Sequence, residues 1–353
     1  MNRYILKIII IIALLHTCEI TNYAFNITPI DIKTNEGTHL YNSLLENKNN
    51  IRIVFVGDIM MSRDVEKDTY KNFYGNYAEL FTYIKPFFNN ADIVFGNLEN
   101  PISDVTLNIE DNLNNILEHP VGGLIAFNNR CSSFNAELES LYALKWAGFN
   151  ILNVANNHAG NAGIEGIIDT VYNLQKVRIN YIGIGLNRKE AHKPYIFEKN
   201  GIKIGFLGYS DIKSESNIWK ATYNRAGISV YNRNFVRQDI LKTKNMVDLL
   251  IVALHFGIEF KTNPSFRQIN IAHEIINSGA NIVIGHHPHV IQPTKEYKDG
   301  LIVYSLGNFI FDQHRNGTNT GLLIEMFIDM KSNIYYILRT VNINEKHQPS
   351  INF

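Results

Sequence analysis

The chain predicts an α/β fold, and three observations carry that expectation. Short Ile- and Val-rich runs recur along it, helix-like stretches separate several of them, and most runs end in a turn bearing Asp, Asn, Glu or His. The runs are Ile51–Val56, Ala91–Phe95, Phe149–Val154, Tyr181–Ile184, Lys203–Leu207, Asp248–Leu254, Asn281–Ile284 and Leu301–Tyr304. Continuous apolar runs of this length suit strands covered on both faces, and helical crossovers between them make the sheet mostly parallel or mixed. Ala136–Ala147, Ile164–Lys176 and Ser265–Asn277 are the crossover helices. Gly321–Asp329 and Asn333–Asn344 flank Met330-Lys331-Ser332 and read as a closing antiparallel hairpin.

The N-terminus has a different pattern. Arg3 and Lys7 sit against Ile8–Leu15, an apolar run too short to span a bilayer comfortably but suited to the h-region of an export signal. A buried strand is the alternative, and the terminal positive charge favours the signal. Residues 1–25 are therefore assigned to a signal peptide or N-terminal anchor. This predicts an exported protein of the periplasm or cell envelope, secreted or anchored through the N-terminus or Cys18. Leu15-His16-Thr17-Cys18 makes a poor lipobox because Thr17 is larger than the usual small residue there. Residues 26–50 are polar and Asn-rich and read as a linker or lead-in. Residues 51–345 then form one domain of catalytic size.

Composition excludes several functions. Lys plus Arg number 33 and Asp plus Glu 33, so the formal net charge is zero, and no excess of cations exists for nucleic acid. Hydrophobic residues make up 45% of the 353, which excludes disorder for most of the chain. The two cysteines, Cys18 and Cys131, cannot build a disulfide framework or a thiolate zinc cluster, so any metal must be held by His, carboxylate and amide groups.

Those groups follow the apolar runs. Gly57-Asp58, Gly96-Asn97-Leu98-Glu99, Ala155-Asn156-Asn157-His158, His255-Phe256-Gly257-Ile258-Glu259, Gly285-His286-His287-Pro288-His289 and Ser305-Leu306-Gly307-Asn308-Phe309 each lie at a strand end. In open α/β sheets the ligand site lies just beyond the carboxyl ends of the strands. Taken singly, Asp58 is a helix cap, Asn157 a left-handed turn residue and His255 a structural hydrogen-bonder. Together they form a metal-binding inventory at one topological position. Gly57, Gly96 and Gly285 are expected to let the backbone turn beside the ligand. His16, His39, His119, His192, His273, His314 and His347 lack such placement and are set aside as surface or structural. So is Cys131, along with Glu110, Asp111 and Glu118 of an Asn-rich loop.

These motifs, with Met60-Met61-Ser62-Arg63 after Asp58 and Asn100-Pro101 after Glu99, resemble the CapA family of poly-γ-glutamate capsule synthesis proteins. That family is itself similar to calcineurin-like metallophosphoesterases. The resemblance runs from about Ile51 to Asp312 and implies a four-layer αββα sandwich of two mixed sheets, with one or two divalent metal ions (Mn, Zn, Mg or Fe) at one edge. Asp58 then resembles the first-site carboxylate, Glu99 the bridging carboxylate and His289 a further first-site ligand. Asn157, His255 and His287 resemble the second-site ligands, and His158 the catalytic acid that contacts the transferred group. The Gly-His-His-Pro-His segment has one His more than the phosphoesterase pattern, so His286 is the alternative to His287, and the register stays open.

Two departures thin the first site: Met60 stands where phosphoesterases carry His, and Glu99 replaces Asp. Asn161 and Asn281 stand where CapA proteins often carry Asp. Arg63 and Glu259 flank the motifs as candidate substrate-binding residues. Arg63 either grips a carboxylate or phosphate bidentately or forms a surface salt bridge.

Three functions follow from the resemblance. The first is an exported metal-dependent hydrolase or transferase of capsule, poly-γ-glutamate or envelope-polymer biosynthesis. The second is a non-catalytic envelope component binding an anionic polymer or partner subunits on a decayed phosphoesterase scaffold, and the third a general metallophosphoesterase or nucleotidase. The partners implied are an anionic polymer or phosphoester substrate and membrane-bound capsule-synthesis subunits.

Overall fold

The computed structural model describes residues 25–103 and 134–351. The signal or anchor segment, Cys18, Cys131 and the loop acids Glu110, Asp111 and Glu118 lie outside the described residues. The first sheet runs β1 (Asn26–Pro29), β16 (Asn333–Ile343), β15 (Thr320–Ile328), β2 (Ile51–Ile59), β3 (Ile93–Leu98), β4 (Ile151–Asn153) and β5 (Asn180–Ile182). To it are added β14 (Asn308–Ile310), parallel to β2, and β17 (Pro349–Ile351), antiparallel to β16. The second runs β12 (Ile291–Tyr297), β13 (Gly300–Leu306), β11 (Ile282–His286), β10 (Leu249–His255), β8 (Ile202–Ser210) and β7 (Tyr195–Lys199). A short ribbon pairs β6 (Ile184–Gly185) with β9 (Gly227–Ile228). The expected closing hairpin is β15–β16, paired from Thr320↔Asn342 to Ile328↔Ile334.

Strand alternation sorts the apolar residues into layers. Ile53 and Phe55 of β2 point inward with Phe95, against Phe206, Ile251 and Ile284 of the second sheet. Phe95 stacks on Phe206 with ring centroids 5.9 Å apart. Val54 and Val56 point outward, where α2 (Asp64–Phe73), α3 (Leu138–Ala147) and α4 (Gly163–Lys176) contribute Val65, Leu144 and Val171. On the far side Leu250, Val252 and Leu254 of β10 meet Val236 and Ile240 of α5 (Arg233–Lys244) and Ile271 and Ile275 of α6 (Phe266–Ser278). The result is helices, sheet, sheet, helices. Local chemistry sets the ends of α6: Ser265 and Gln268 form a capping box, and Gly279 closes it at φ 117°.

Residues 26–50 are not a linker. Asn26–Pro29 pairs in parallel with Asn333–Tyr336, and α1 (Asn35–Glu46) lies on β15 and β16, with Leu44 packing beside Ile30, Phe327 and Ile337. An edge strand takes its bonds from the backbone, and α1 needs only a few apolar anchors, so the segment folds without the hydrophobic period that marks the other elements. Its Tyr41 also reaches a buried charge network. Glu325 accepts from Arg52 Nε at 2.8 Å and from Arg339 at 3.3 Å, while Tyr41 Oη lies 3.4 Å from it. Arg52 donates further to the carbonyls of Phe87 and Asn89, both at 2.8 Å. Glu325→Ala would leave two guanidinium groups facing each other in the interior. It is expected to lower stability by about 3–5 kcal/mol in a denaturant titration.

Candidate metal centre

The carboxyl ends of both sheets converge. Asp58 lies near the end of β2 beside Asn97 of β3 and Asn308 of β14, its register partners, and Glu99 follows β3 directly. His255 closes β10 in register with His286, which closes β11. Asn157 and His158 come from the turn after β4, and His287 and His289 from the turn after β11. That last turn holds unusual backbone, with φ 97° at His287 and 58° at His289. Non-glycine residues there cost roughly 1–3 kcal/mol each and persist where the surroundings fix them. Part of that fixing is the His287 N–H, which donates to Asp58 Oδ2 at 3.1 Å.

Gly57 acts differently from the turn residue expected. A side chain there would come within 2.0 Å of the Gly307 carbonyl oxygen, so its bareness lets β2 and the Gly307–Asn308 segment close together.

Every residue of the expected metal set falls in one cluster. Asp58, Glu99, Asn157, His255, His287 and His289 are all buried. Glu99, His287 and His289 bring ligand atoms within 4.8 Å of one another, and so do Asp58, Glu99 and His255. Glu99 therefore belongs to both groups. The grouping differs from the pattern the resemblance implies, because His255 gathers with Asp58, and His287 with His289. His255 Nε2 donates to Asn157 Oδ1 at 2.7 Å, which sets an imidazole and an amide oxygen side by side. His289 lies 3.4 Å from Asp58 Oδ2 and 3.7 Å from Glu99 Oε1.

The electrostatics suit a cation. Two carboxylates are buried together, and among the described residues neither makes an ion pair with Lys or Arg. Burial, reinforced by the charge of Asp58, pushes Glu99 well above the usual carboxylate range, and its Oε1 has no hydrogen-bond partner. Burial drives His287 down to about 3, aided by His289, and places His255 well below the ordinary imidazole value, aided by His287. His287 Nδ1 is also unpartnered. Neutral imidazoles, buried carboxylates and orphaned ligand atoms fit a divalent metal.

A shell of amides orients these groups. Asn97 Nδ2 donates to Asp58 Oδ1 at 2.8 Å, and Asn153 Nδ2 donates to Asn97 Oδ1 at 2.8 Å. Asn156 Nδ2 donates to the Leu98 carbonyl at 2.7 Å and its Oδ1 accepts from the His158 N–H at 3.1 Å. Asn308 Oδ1 lies 2.9 Å from His289 Nδ1, turning Nε2 toward Glu99. His158 stacks on Phe134 at 4.0 Å and lies 4.0 Å from Glu99. Asn161 Nδ2 lies 3.2 Å from its Nδ1. Burial drives the His158 pKa down to about 3, with His289 and His287 adding to the effect. The ring is neutral at pH 7.

A cavity of about 420 Å³ opens at His158 and His289, walled by Phe134, Phe260 and Phe311. A second, of about 630 Å³, opens at Asn157 and His287. Glu259 borders both and is exposed. Arg63 borders the first and takes the salt-bridge alternative: Nε and Nη2 grip Asp312 at 2.9 and 2.7 Å. Asp312 follows the Asn308-Phe309 motif, so strand pairing brings it to Arg63. Arg315, which sequence reading missed, lies over the Phe260 ring at 4.2 Å in the same cavity and makes no ion pair among the described residues. His314, set aside as surface, lines this cavity too. His192 instead pairs with Asp239 at 2.7 Å, and His347 with Asp68 at 3.0 Å, away from the cluster.

Amides that fix ligands without touching the metal affect its affinity. Asn308→Ala and Asn97→Ala are each expected to weaken divalent-metal binding by about 10–100-fold in chelator competition. Asn161→Asp should raise the His158 pKa, since a carboxylate beside Nδ1 favours the charged ring. Imidazole NMR titration of the metal-free protein checks this.

The bacterial capsule synthesis protein PGA_cap family model matches residues 52–313. The chain is 34% identical over 298 residues to the capsule biosynthesis protein CapA of Bacillus anthracis, covering 83% of this chain and 67% of that one. It is 31% identical over 300 residues to the PGA biosynthesis protein CapA of Bacillus subtilis (strain 168), covering 82% of this chain and 71% of that one. Among solved structures, the calcineurin-like phosphoesterase YfkN of Bacillus subtilis aligns over 81% of this chain and 87% of its own, at 15% identity and a TM-score of 0.44. With a family match over most of its length and CapA relatives above 30% identity, the chain belongs to the bacterial capsule synthesis protein PGA_cap family.

Proposed function

We propose that this family member is an exported, metal-dependent hydrolase or transferase acting on an anionic polymer or phosphoester in capsule or envelope-polymer assembly. One observation carries the reading: two buried carboxylates and three buried imidazoles meet, and among the described residues no Lys or Arg pairs with either acid. The capsule assignment follows the family, and export rests on the N-terminal pattern.

Asp58, Glu99, Asn157, His255, His287 and His289 would hold one or two divalent ions. When bound, such an ion lowers the pKa of a water ligand and polarises a phosphoryl or acyl oxygen. The chain's own groups do the rest. The neutral His158 ring, stacked on Phe134 with the amides of Asn157 and Asn161 against its two nitrogens, lines the cavity where the transferred group would sit. Arg315 offers free guanidinium donors to an anionic part of the substrate, while Arg63 holds the wall through Asp312. Phe260 and Phe311 narrow access for water on that side.

Met60 supports a second reading, a polymer-binding scaffold without catalysis. Its sulfur accepts from the Ser62 hydroxyl at 3.2 Å and is a weak donor for a hard cation. Metal analysis of the purified chain, with a chromogenic phosphodiester assay, separates the two. The enzymatic reading expects a divalent metal and a turnover that falls at least about 100-fold in His255→Ala, with loss on chelation and recovery on metal addition. Metal-free protein whose polymer binding is unchanged in that variant would establish the scaffold.

A further inference from the structure

Against the phosphoesterase pattern the chain resembles, Met60 stands where an imidazole is expected and Gly285-His286-His287-Pro288-His289 carries one His more, and His286 lies beside Asp58. His286 is fully buried, and neither ring nitrogen has a hydrogen-bond partner. Leaving both nitrogens of a buried imidazole unmet is unfavourable, so the position calls for a partner that protein atoms do not supply. Its Nδ1 lies 3.2 Å from Asp58 Oδ1 without being aimed along a hydrogen bond to it. Two donors bound to one ion, each about 2.0–2.2 Å from it, sit about 3 Å apart, which is the separation seen.

Register gives the direction. His286 is the cross-strand partner of His255, and directly paired residues of neighbouring strands project from the same face. The two rings therefore leave the sheet on the side where Asp58, Glu99 and His255 bring their ligand atoms together. Met60 is buried and its thioether is engaged by Ser62, so position 60 contributes no comparable donor.

Resting on the metal-centre reading above, we propose that His286 is an additional ligand at the Asp58 metal position, supplying from β11 the imidazole that position 60 lacks. His286 and His287 are then not alternatives. Consecutive residues serve opposite sides of the centre, and the left-handed backbone at His287 turns the second ring away from the first.

Zinc titration of the full chain against a chromogenic chelator tests this in wild type, His286→Gln and Met60→His/His286→Gln. The proposal expects His286→Gln to weaken one bound equivalent at least about tenfold while leaving any other nearly unchanged, and the added Met60→His to restore it. Wild-type zinc affinity in His286→Gln overturns the assignment of His286 alone. A wild-type chain that takes up no zinc overturns the metal-centre reading and this assignment with it. Should His286→Gln fail to fold, long-range 15N NMR of the wild-type imidazoles decides: a His286 ring nitrogen that shifts on adding zinc supports ligation, and one that keeps its zinc-free position overturns it.

Discussion

The placement of Asp58 and Glu99 side by side in the interior governs the rest of this molecule. Two carboxylates taken out of water within reach of one another cannot both keep a charge without compensation, and the fold offers neutral imidazoles and amides rather than Lys or Arg. The protonated tendency of Glu99 and the unmet ligand atoms around it express the same deficit. The strained turn at His287 and His289 is tolerable because it presents donors to that spot.

Supporting the centre with amides has a physical logic. Asn97, Asn153, Asn156 and Asn308 fix acids and rings through directed hydrogen bonds yet add no charge to a region whose balance is already set. A carboxylate at any of those places would repel Asp58 or Glu99, and a cation would pair with one of them. The Arg63–Asp312 pair, by contrast, stands at the cavity wall with the guanidinium side chain 27% exposed, where solvent tempers its charge.

Much of this was legible before any coordinates, for physical reasons. Apolar strands bounded by Gly, Asp, Asn and His announce both their burial and the edge where their ends gather, so the residues that cluster there could be named from the sequence. The same rules failed where backbone rather than side chains supplied the bonding. Asn26–Pro29 joins the sheet through main-chain groups, and α1 is held by few apolar contacts, so that segment looked like a linker. Sequence left Arg63 open between an anion contact and a salt bridge because its partner, Asp312, lies 249 residues away and arrives only through the pairing of β14 with β2. Arg315 sits in a connecting loop without periodicity, and nothing local marks it as lining the cavity.

That pairing has a kinetic side. β2 is flanked by β15 and β14 from the last third of the chain, while β1 at the opposite end closes on β16. The Asp58 N–H itself donates to the Gly307 carbonyl at 3.0 Å. Contacts this distant in sequence make folding slow and late, since large loops must close before they reward the chain. The buried cluster around Asp58 is thus incomplete in any nascent chain that ends before residue 308. Emerging polypeptide presents no assembled cluster of acids and imidazoles, and its closure becomes one of the final events of folding.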